Sequence, residues 1–298
     1  VDRLIEDGNE VISLDNESAT SNEQFYWNSQ SHKAVLDICD YDKIEPLFKG
    51  VDCVFHLAAE ARIQPAIKNP CKASATNVLG TCNILQAARE NGVDRVIYSS
   101  TSSAYGLINP TPLSEDMPND CLNPYSVTKV AGEELCKMYT KLFGLKTLVF
   151  RYFNVYGERQ PIKGQYAPVV GIFLRQFDNG EPLTIVGDGH QRRDFTYVKD
   201  VVEANILAAN SSNEDLFGQT INIGVGNNIS VLELARMIGY NFEYLPERLG
   251  EARVTLADIS KASELLDWKP KVFLQDWIAQ QKLSGDPMSM KQFMKKVT

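Results

Sequence analysis

The chain contains 298 residues, which at roughly 150 residues per domain predicts about two domains. It is 44% hydrophobic and 23% charged, the composition of a globular protein that buries a core. Its formal net charge of −8 argues against general binding to nucleic acid or to anionic membranes, because both need clustered Lys and Arg. No apolar run approaches the ~18 residues of a membrane span.

Cysteine and histidine usage favours a reducing compartment and no metal. The six cysteines are scattered without a C-x-x-C pair, so we expect buried free thiols in a cytoplasmic protein. Three histidines, none at metal-ligand spacing, predict no metal site. The cysteines are Cys39, Cys53, Cys71, Cys82, Cys121 and Cys136.

Strand-like and helix-like segments alternate from the start of the chain. The strands are continuous apolar runs, which is typical of a parallel sheet covered by helices on both faces. The sequence therefore predicts an α/β fold with a Rossmann-type doubly wound parallel sheet. The predicted strands are Glu10–Leu14, Val51–Leu57, Val93–Tyr98 and Leu145–Phe150.

Two helices are predicted from apolar periodicity and end signals. The first covers Asn77–Asn91 and stops at Gly92, which suits a helix C-cap. The second opens at Asn123-Pro124, a capping residue followed by proline, and ends at Gly144. The apolar stripe of this second helix comprises Val127, Val130, Ala131, Leu135, Met138, Tyr139 and Leu142.

After about residue 155 the pattern changes to shorter, turn-rich elements. We therefore expect a dinucleotide-binding domain of residues 1–154 and about 193–224. A smaller α/β domain is expected to contain about residues 155–192 and 225–298.

An acidic residue after the second strand of a doubly wound sheet bonds the ribose hydroxyls of a dinucleotide. Asp15, followed by Asn16 and Glu17, stands at that place. The carboxylates of Asp15 and Glu17 would repel a 2′-phosphate and no Arg or Lys is near, which favours NAD over its phosphorylated form.

The glycine-rich phosphate loop of such a sheet precedes that acidic residue by about 20 residues. Only 14 residues precede Asp15, and Val1–Glu6 has the pattern of the end of a helix. We therefore expect the first strand and its glycine loop to be absent from the sequence, the sheet to be split, and the chain to be a fragment of a longer gene product. The alternative is a truncated protein with weak or no cofactor binding.

A Tyr and a Lys four residues apart on the second predicted helix form a candidate catalytic pair. Tyr125 and Lys129 lie on one helical face, where an ammonium would stabilise a phenolate and lower its pKa. A hydroxyl-rich loop, Ser99–Gly106, follows the third strand at the sheet edge where ligands bind.

Several ordered motifs resemble those of the extended short-chain dehydrogenase/reductase family, and within it the nucleotide-sugar epimerases. The resemblance runs from Val1 to about Lys271. Its motifs are His56–Ala59, Asn77 before Gly80-Thr81, the hydroxyl-rich loop, Tyr125 with Lys129, Arg151–Gly157, Gly187–Phe195, Arg248–Glu251 and Ala257-Asp258.

The resemblance implies the roles of the site residues. Thr101, Tyr125 and Lys129 would be catalytic, with Lys129 also holding the nicotinamide ribose. The NAD site would comprise Asp15, Asn16, Asp37, Ile38, Leu57, Ala58, Ala59, Asn77, Ser99, Tyr125, Lys129 and Tyr152. The UDP-sugar site would comprise Ser102, Ser103, Asn154, Ile185, Arg193, Arg248, Glu251 and Thr255.

The implied reaction is epimerisation at C4 of a UDP-hexose through a 4-keto intermediate. Tyr125 would take the hydroxyl proton while hydride passes to NAD, and Thr101 would stabilise the developing carbonyl. Ser102-Ser103 replace the Asp-Glu pair of the family's 4,6-dehydratases, which disfavours dehydration. Thr255 leaves room for an N-acetyl group, and the stretch Gly164–Val169 resembles the N-acetylhexosamine-tolerant branch, without excluding glucose/galactose or a uronic acid.

Two alternatives stay open: another nucleotide-sugar modifier (a dehydratase, a decarboxylase or an epimerase at another carbon), or a non-catalytic dinucleotide or sugar-nucleotide sensor. The resemblance also implies a homodimer, formed by the helices Asn77–Asn91 and Pro124–Phe143.

Overall fold

The structure, a computed structural model, describes residues 1–19, 25–164, 167–247 and 250–283. Residues 282 and 283 are described without their side chains. Its strands are β1 (Ile12–Asp15), β2 (His32–Val35), β3 (Cys53–His56), β4 (Arg95–Thr101), β5 (Lys146–Tyr152), β6 (Val155–Tyr156), β7 (Leu183–Val186), β8 (Arg192–Arg193), β9 (Thr196–Tyr197), β10 (Thr220–Ile223), β11 (Ile229–Ser230) and β12 (Phe242–Leu245). Its α-helices are α1 (Asp2–Glu6), α2 (Tyr41–Ile44), α3 (Ile63–Lys68), α4 (Pro70–Ser74), α5 (Thr81–Glu90), α6 (Pro124–Phe143), α7 (Val169–Asp178), α8 (Val198–Asn210), α9 (Val231–Ile238), α10 (Ser260–Leu266) and α11 (Leu274–Leu283).

A parallel sheet of order β10-β5-β4-β3 forms the centre of the fold, and β1 pairs in parallel only with β2. The Rossmann-type parallel architecture predicted from the sequence is confirmed. The predicted interruption is also present, because within the described residues β1 and β3 each have one ladder partner. The carboxyl ends of parallel strands share one sheet edge, where ligand sites form.

Two hydrophobic clusters cover the sheet, as expected for a sheet buried on both faces. One packs α5 and α6 against β4, with Leu85, Val96 and Cys136 among its fully buried residues. The other packs α8 and α10 against β5 and β10. Ala262, Leu266 and Trp268 belong to this second cluster, although their sequence positions fall in the predicted smaller domain.

A third cluster forms a separate core for the turn-rich part of the chain. It is built from α7, β7, α9 and α11, with Phe173, Ile185, Leu234 and Trp277 buried inside it. The short strands β8 and β11 pair antiparallel at its border, and β12 pairs with β7. The smaller unit therefore has its own hydrophobic interior.

Helix α6 begins and ends where the sequence predicts. The Asn123 side chain accepts from the backbone N–H of Ser126 in a capping box, Pro124 follows, and Gly144 ends the helix with φ +73°. Its apolar stripe, however, only partly coincides with its buried face: Tyr139 is buried, but Val127 and Leu142 are 53% and 67% exposed. The buried face also carries Lys129, Gly132, Glu133 and Cys136, because it lies against β4 and β5.

The other predicted elements need smaller corrections. The helix predicted from Asn77 begins with a π-helical turn over Ala75–Gly80 before α5. Strand β4 runs on to Thr101, paired with Tyr152 of β5, so the start of the hydroxyl-rich segment is strand rather than loop. All six cysteines are free, but only Cys136 is buried and Cys71 is exposed.

No helix in the described part of the chain is long and apolar enough to cross a membrane. Among the same residues there is no group of three or more His, Cys, Asp or Glu side chains that could hold a metal ion.

Candidate active site

The three predicted catalytic residues meet at the carboxyl end of β4. Thr101 is the last residue of that strand, and its Oγ1 accepts from the backbone N–H of Ser103, 3.1 Å away, to start a 3₁₀ turn over Ser102–Tyr105. Tyr125 lies in the first turn of α6, close enough to the Thr101 side chain for Thr101 to lower its pKa. Lys129 follows one helical turn later and is buried.

Burial dominates the electrostatics of the Tyr–Lys pair. It raises the pKa of Tyr125, while the nearby Thr101 side chain and the positive charge of Arg62 act in the opposite direction. Burial also lowers the pKa of Lys129 to about 7, against the attraction of Cys136 and Glu133. The Lys129 ammonium lies over the ring of Tyr98, with Nζ 4.1 Å from the ring centroid. The predicted lowering of the Tyr125 pKa by Lys129 is therefore not the main effect in this state.

A buried ion pair between Arg151 and Glu133 supports the Tyr125–Lys129 pair and was not identified from the sequence. Arg151 donates from Nε to Glu133 Oε1 at 2.9 Å and from Nη2 to Glu133 Oε2 at 2.6 Å. Ser100 Oγ donates to the same Oε1 at 2.5 Å, and Arg151 also bonds Asn119. Burial would lower the pKa of Arg151, but the hydrogen bonds and charge of Glu133 raise it. A usable signal existed, since Glu133 shares a helical face with Tyr125 and Lys129.

This network joins the strand and the helix that carry the predicted catalytic residues. Ser100 is the neighbour of Thr101 on β4, and Glu133 lies two turns after Tyr125 on α6. The Ser100–Glu133 bond therefore ties β4 to α6 next to Thr101, which restrains how this strand and helix lie against each other.

Two residues of the predicted NAD site, Asp15 and Asp37, lie close together where β1 and β2 end. Asp15 is the last residue of β1, and its Oδ1 accepts from the backbone N–H of Glu17 at 2.6 Å. Asn16 Nδ2 donates to Asp37 Oδ2 at 3.0 Å, which joins the two strand ends. The backbone N–H of Cys39 and other donors lower the pKa of Asp37, so this carboxylate stays ionised.

The remaining predicted cofactor residues line the next strand ends, in different ways. Ile38 is buried and its carbonyl accepts from Asn83, whereas Leu57, directly after β3, is 62% exposed. Ala58 and Ala59 are partly buried and small, so they leave space beside the β3 end.

Asn77, Ser99 and Tyr152 are already engaged by protein groups. The Asn77 amide bonds the backbone of Glu60 and the hydroxyl of Thr128, so it ties the segment after β3 to α6. Ser99 Oγ donates to Tyr152 Oη, which in turn bonds Asn205. These hydrogen bonds hold the three side chains, and the elements that carry them, in place beside the site.

The polar side chains of this site fit both ends of a dinucleotide. Asp15 and Asp37 offer carboxylate oxygens for one ribose diol. At the other end the Lys129 ammonium is buried, and within the described residues it has no oxygen acceptor, so its N–H donors suit the second ribose. Between these ends, beside β1 and β3, the described residues contain no glycine-rich phosphate loop.

At the substrate end Arg193 is nearly buried and held in place. Its Nη1 donates to the backbone carbonyls of Arg192 and Arg253, and its Nη2 lies 3.5 Å from Glu251 Oε2. Burial lowers the pKa of Arg193, and Glu251 opposes this. The predicted partners Arg193 and Glu251 therefore meet; Arg248 lies outside the described residues.

Asn154 and Thr255 contact each other beside Asp194. Thr255 Oγ1 lies 3.5 Å from Asn154 Oδ1 and accepts from the backbone N–H of Asp194. Asp194 is fully buried and accepts from the backbone N–H groups of Val225, Gly226 and Ala257. It is not among the site residues predicted from the sequence. Its place inside the Gly187–Phe195 motif could have identified it.

Ile185 and the serine pair occupy contrasting positions. Ile185 is fully buried in the third core, so only its main chain could reach a ligand. Ser102 and Ser103 follow Thr101 in the 3₁₀ turn, and Ser102 is 9% exposed. No carboxylate occupies these two positions.

Comparison with known proteins gives consistent matches. The model of the NAD dependent epimerase/dehydratase family matches residues 1–224. A putative UDP-glucose 4-epimerase of Methanocaldococcus jannaschii is 39% identical over 286 residues, covering 93% of this chain and 91% of the relative.

Two solved structures match in fold as well as sequence. The UDP-glucose 4-epimerase of Thermotoga maritima with UDP-glucose has a TM-score of 0.89 and 32% identity, covering 100% of this chain and 94% of its own. The UDP-N-acetylglucosamine 4-epimerase of Methanobrevibacter ruminantium, in complex with UDP-N-acetylmuramic acid, has a TM-score of 0.85 and 33% identity, covering 93% and 90%.

Proposed function

The chain belongs to the NAD dependent epimerase/dehydratase family, and from that premise we propose that it epimerises C4 of a UDP-hexose and accepts N-acetylhexosamines. The observation that carries this proposal is the meeting of Thr101, Tyr125 and buried Lys129 at the carboxyl end of β4, with serines at the two positions after Thr101. Such a site has groups to move a hydroxyl proton and lacks a carboxylate there to eliminate water.

Each catalytic side chain has one task. Tyr125 takes the proton of the C4 hydroxyl and later returns it, with Thr101 donating a hydrogen bond to the same sugar oxygen. Lys129 stabilises the Tyr125 phenolate by its positive charge. NAD, when bound, accepts the hydride from C4 and returns it, and the residues that would hold it are Asp15, Asp37 and Lys129.

The substrate end recognises the charged part of the molecule. Arg193 is oriented by two backbone carbonyls and by Glu251, so its remaining donors suit a diphosphate oxygen. Holding the diphosphate away from Tyr125 leaves the hexose free to turn and present either face. Thr255, beside Asn154, has a small side chain, which would leave space for an N-acetyl group on the sugar.

The test begins with the NAD content of the purified chain, released by denaturation and separated by chromatography. UDP-N-acetylglucosamine, UDP-glucose and UDP-glucuronic acid are then incubated separately with added NAD, and products are identified by NMR. We expect the C4 epimer without net NADH formation, and most rapidly from the N-acetylhexosamine. Loss of water or CO₂, or no turnover with NAD bound, would contradict the proposal.

We also propose a homodimer through α6 and the segment before α5. The apolar side chains exposed on this surface are Leu79, Val127, Met138, Leu142 and Phe143. A patch of this kind on one face marks a contact surface. Light scattering at micromolar concentration should give twice the 33.3 kDa chain mass, and Leu142→Glu should give the monomer mass. A monomer for the unmodified chain would refute the dimer.

A further inference from the structure

The ammonium of Lys129 is buried against an aromatic ring instead of a carboxylate. It is 2% exposed, and within the described part of the chain no carboxylate or hydroxyl oxygen bonds it. The ammonium lies over the face of the Tyr98 ring, with Nζ 4.1 Å from the ring centroid. An aromatic face attracts a cation, and more strongly where water is excluded.

The Tyr98 ring is fixed from several sides. The side chain is fully buried, and its hydroxyl donates to the backbone carbonyl of Lys129 at 3.3 Å. Gly132, one turn further along α6, makes room for it, since a Cβ there would lie 2.3 Å from Tyr98 Oη. On β3 the His56 ring packs 5.4 Å from the Tyr98 ring.

His56 is kept neutral, so it does not compete for the ring or repel Lys129. Burial, together with the charge of Lys129, lowers its pKa to about 3. Thr81 gives its hydroxyl proton to the Asn77 carbonyl, so the 2.9 Å contact with His56 Nε2 requires the N–H on Nε2. This hydrogen bond assigns a neutral tautomer.

We propose that Tyr98 is a positioning residue for the catalytic lysine, its ring face holding the Lys129 ammonium charged and one helical turn from Tyr125. The inference rests on the proposed function for the role of Lys129, and adds a residue that touches neither sugar nor cofactor. It explains how a buried cation without an oxygen partner can persist beside the phenol it must activate.

Other charged and titratable groups also act on or near Lys129. On α6 Glu133 and Cys136 raise its pKa, and on β3 the pKa of His56 is lowered by the charge of Lys129. None of them changes when only the electron density of the residue-98 ring is varied. Ring electronics can therefore be tested while the neighbouring charges stay constant.

The experiment compares three full-length proteins: the unmodified chain, Tyr98→Phe, and the chain with 3,4,5-trifluorophenylalanine at position 98. The last two share shape and lack the hydroxyl, but fluorination removes the negative potential of the ring face. The Lys129 pKa is measured by NMR on [¹³C,¹⁵N]-lysine protein, with Lys129→Met to assign the signal. We expect the Phe protein to resemble the unmodified chain, and fluorination to lower the Lys129 pKa by about 1.

The same shift should appear in catalysis. Because a neutral Lys129 no longer stabilises the phenolate, the alkaline limb of the kcat profile, where Lys129 loses its proton, should move to lower pH with fluorination, with little change in KM. An equal Lys129 pKa in the Phe and fluorinated proteins would overturn the inference. If the pKa follows the ring but no UDP-sugar turns over, the proposed function fails and the inference on Tyr98 stands.

Discussion

Thr101 closes a seven-residue strand, and Tyr125 and Lys129 lie on a 20-residue helix, whereas Arg193 ends a strand of two residues. The catalytic residues are backed by the buried Ser100–Glu133–Arg151 network, with bonds of 2.5–2.9 Å. The Arg193–Glu251 contact is longer, at 3.5 Å, and Glu251 is about one-third exposed.

The difference between these two ends follows from what each must do. Proton transfer needs atoms held to a fraction of an ångström, which long elements with buried polar networks provide. Recognition of a flexible diphosphate tolerates adjustment, so short strands and charged side chains suffice. Substitutions should therefore act mainly on turnover and folding at the first end, and mainly on affinity at the second.

The largest effect is expected from Tyr125→Phe, which removes the proton-transferring hydroxyl and should lower kcat by about 10³-fold. Steady-state kinetics with UDP-N-acetylglucosamine measure this. Tyr139→Phe is the matched control on the same helix, because its hydroxyl bonds Gln86 outside the site. If Tyr125→Phe retained turnover, the catalytic end would be wrongly located.

The next effect tests the buried network. Glu133→Gln leaves Arg151 buried without its counter-charge and should lower the free energy of unfolding by about 3–5 kcal/mol. Glu134→Gln breaks only the exposed pair with Lys137 and should cost below about 1 kcal/mol. Chemical denaturation compares them, and equal losses would remove the proposed contrast in rigidity.

At the recognition end, Arg193→Met should weaken UDP binding by about 10–100-fold, since a charge-assisted hydrogen bond is lost. Calorimetry with UDP measures the affinity, and kcat at saturating sugar nucleotide should change far less. Arg236→Met on the exposed side of α9 is the control. A fall in kcat with unchanged UDP affinity would place Arg193 at the chemistry instead.

The smallest effect is a pH dependence at the catalytic end. His56 has a pKa lowered to about 3 in the folded chain, from 6.5, because it is buried. Below pH 6.5 the unfolded chain binds a proton that the folded chain refuses, so stability is present above that pH and lost as the pH falls. Relative to His56→Gln, the unmodified chain should lose about 2 kcal/mol between pH 8 and pH 5.

Unfolding of both proteins across this pH range checks the prediction, since contributions from other groups cancel in the difference. His190→Gln supplies the comparison for an exposed histidine in the smaller unit. Parallel profiles for His56→Gln and the unmodified chain would mean that His56 is not held neutral.

Local signals predicted helix α6 from Asn123 to Gly144, and the spacing of Tyr125 and Lys129 on it, because capping and helical periodicity depend on neighbouring residues. They did not predict that Val127 and Leu142 face outward while Glu133 is buried. Which helical face is buried depends on what packs against it, and here that is β4 and β5.

The sequence by itself thus determined the alternation of strands and helices, the ends of the main helix, and the ordered motifs that indicate the family. Only the tertiary structure decided which distant residues meet: Ser100 with Glu133 and Arg151, Arg193 with Glu251, and Tyr98 with Lys129. These contacts join residues 18 to 58 positions apart, and such pairings arise from packing of whole elements. Hydrogen-bond needs of buried polar groups then select the partners.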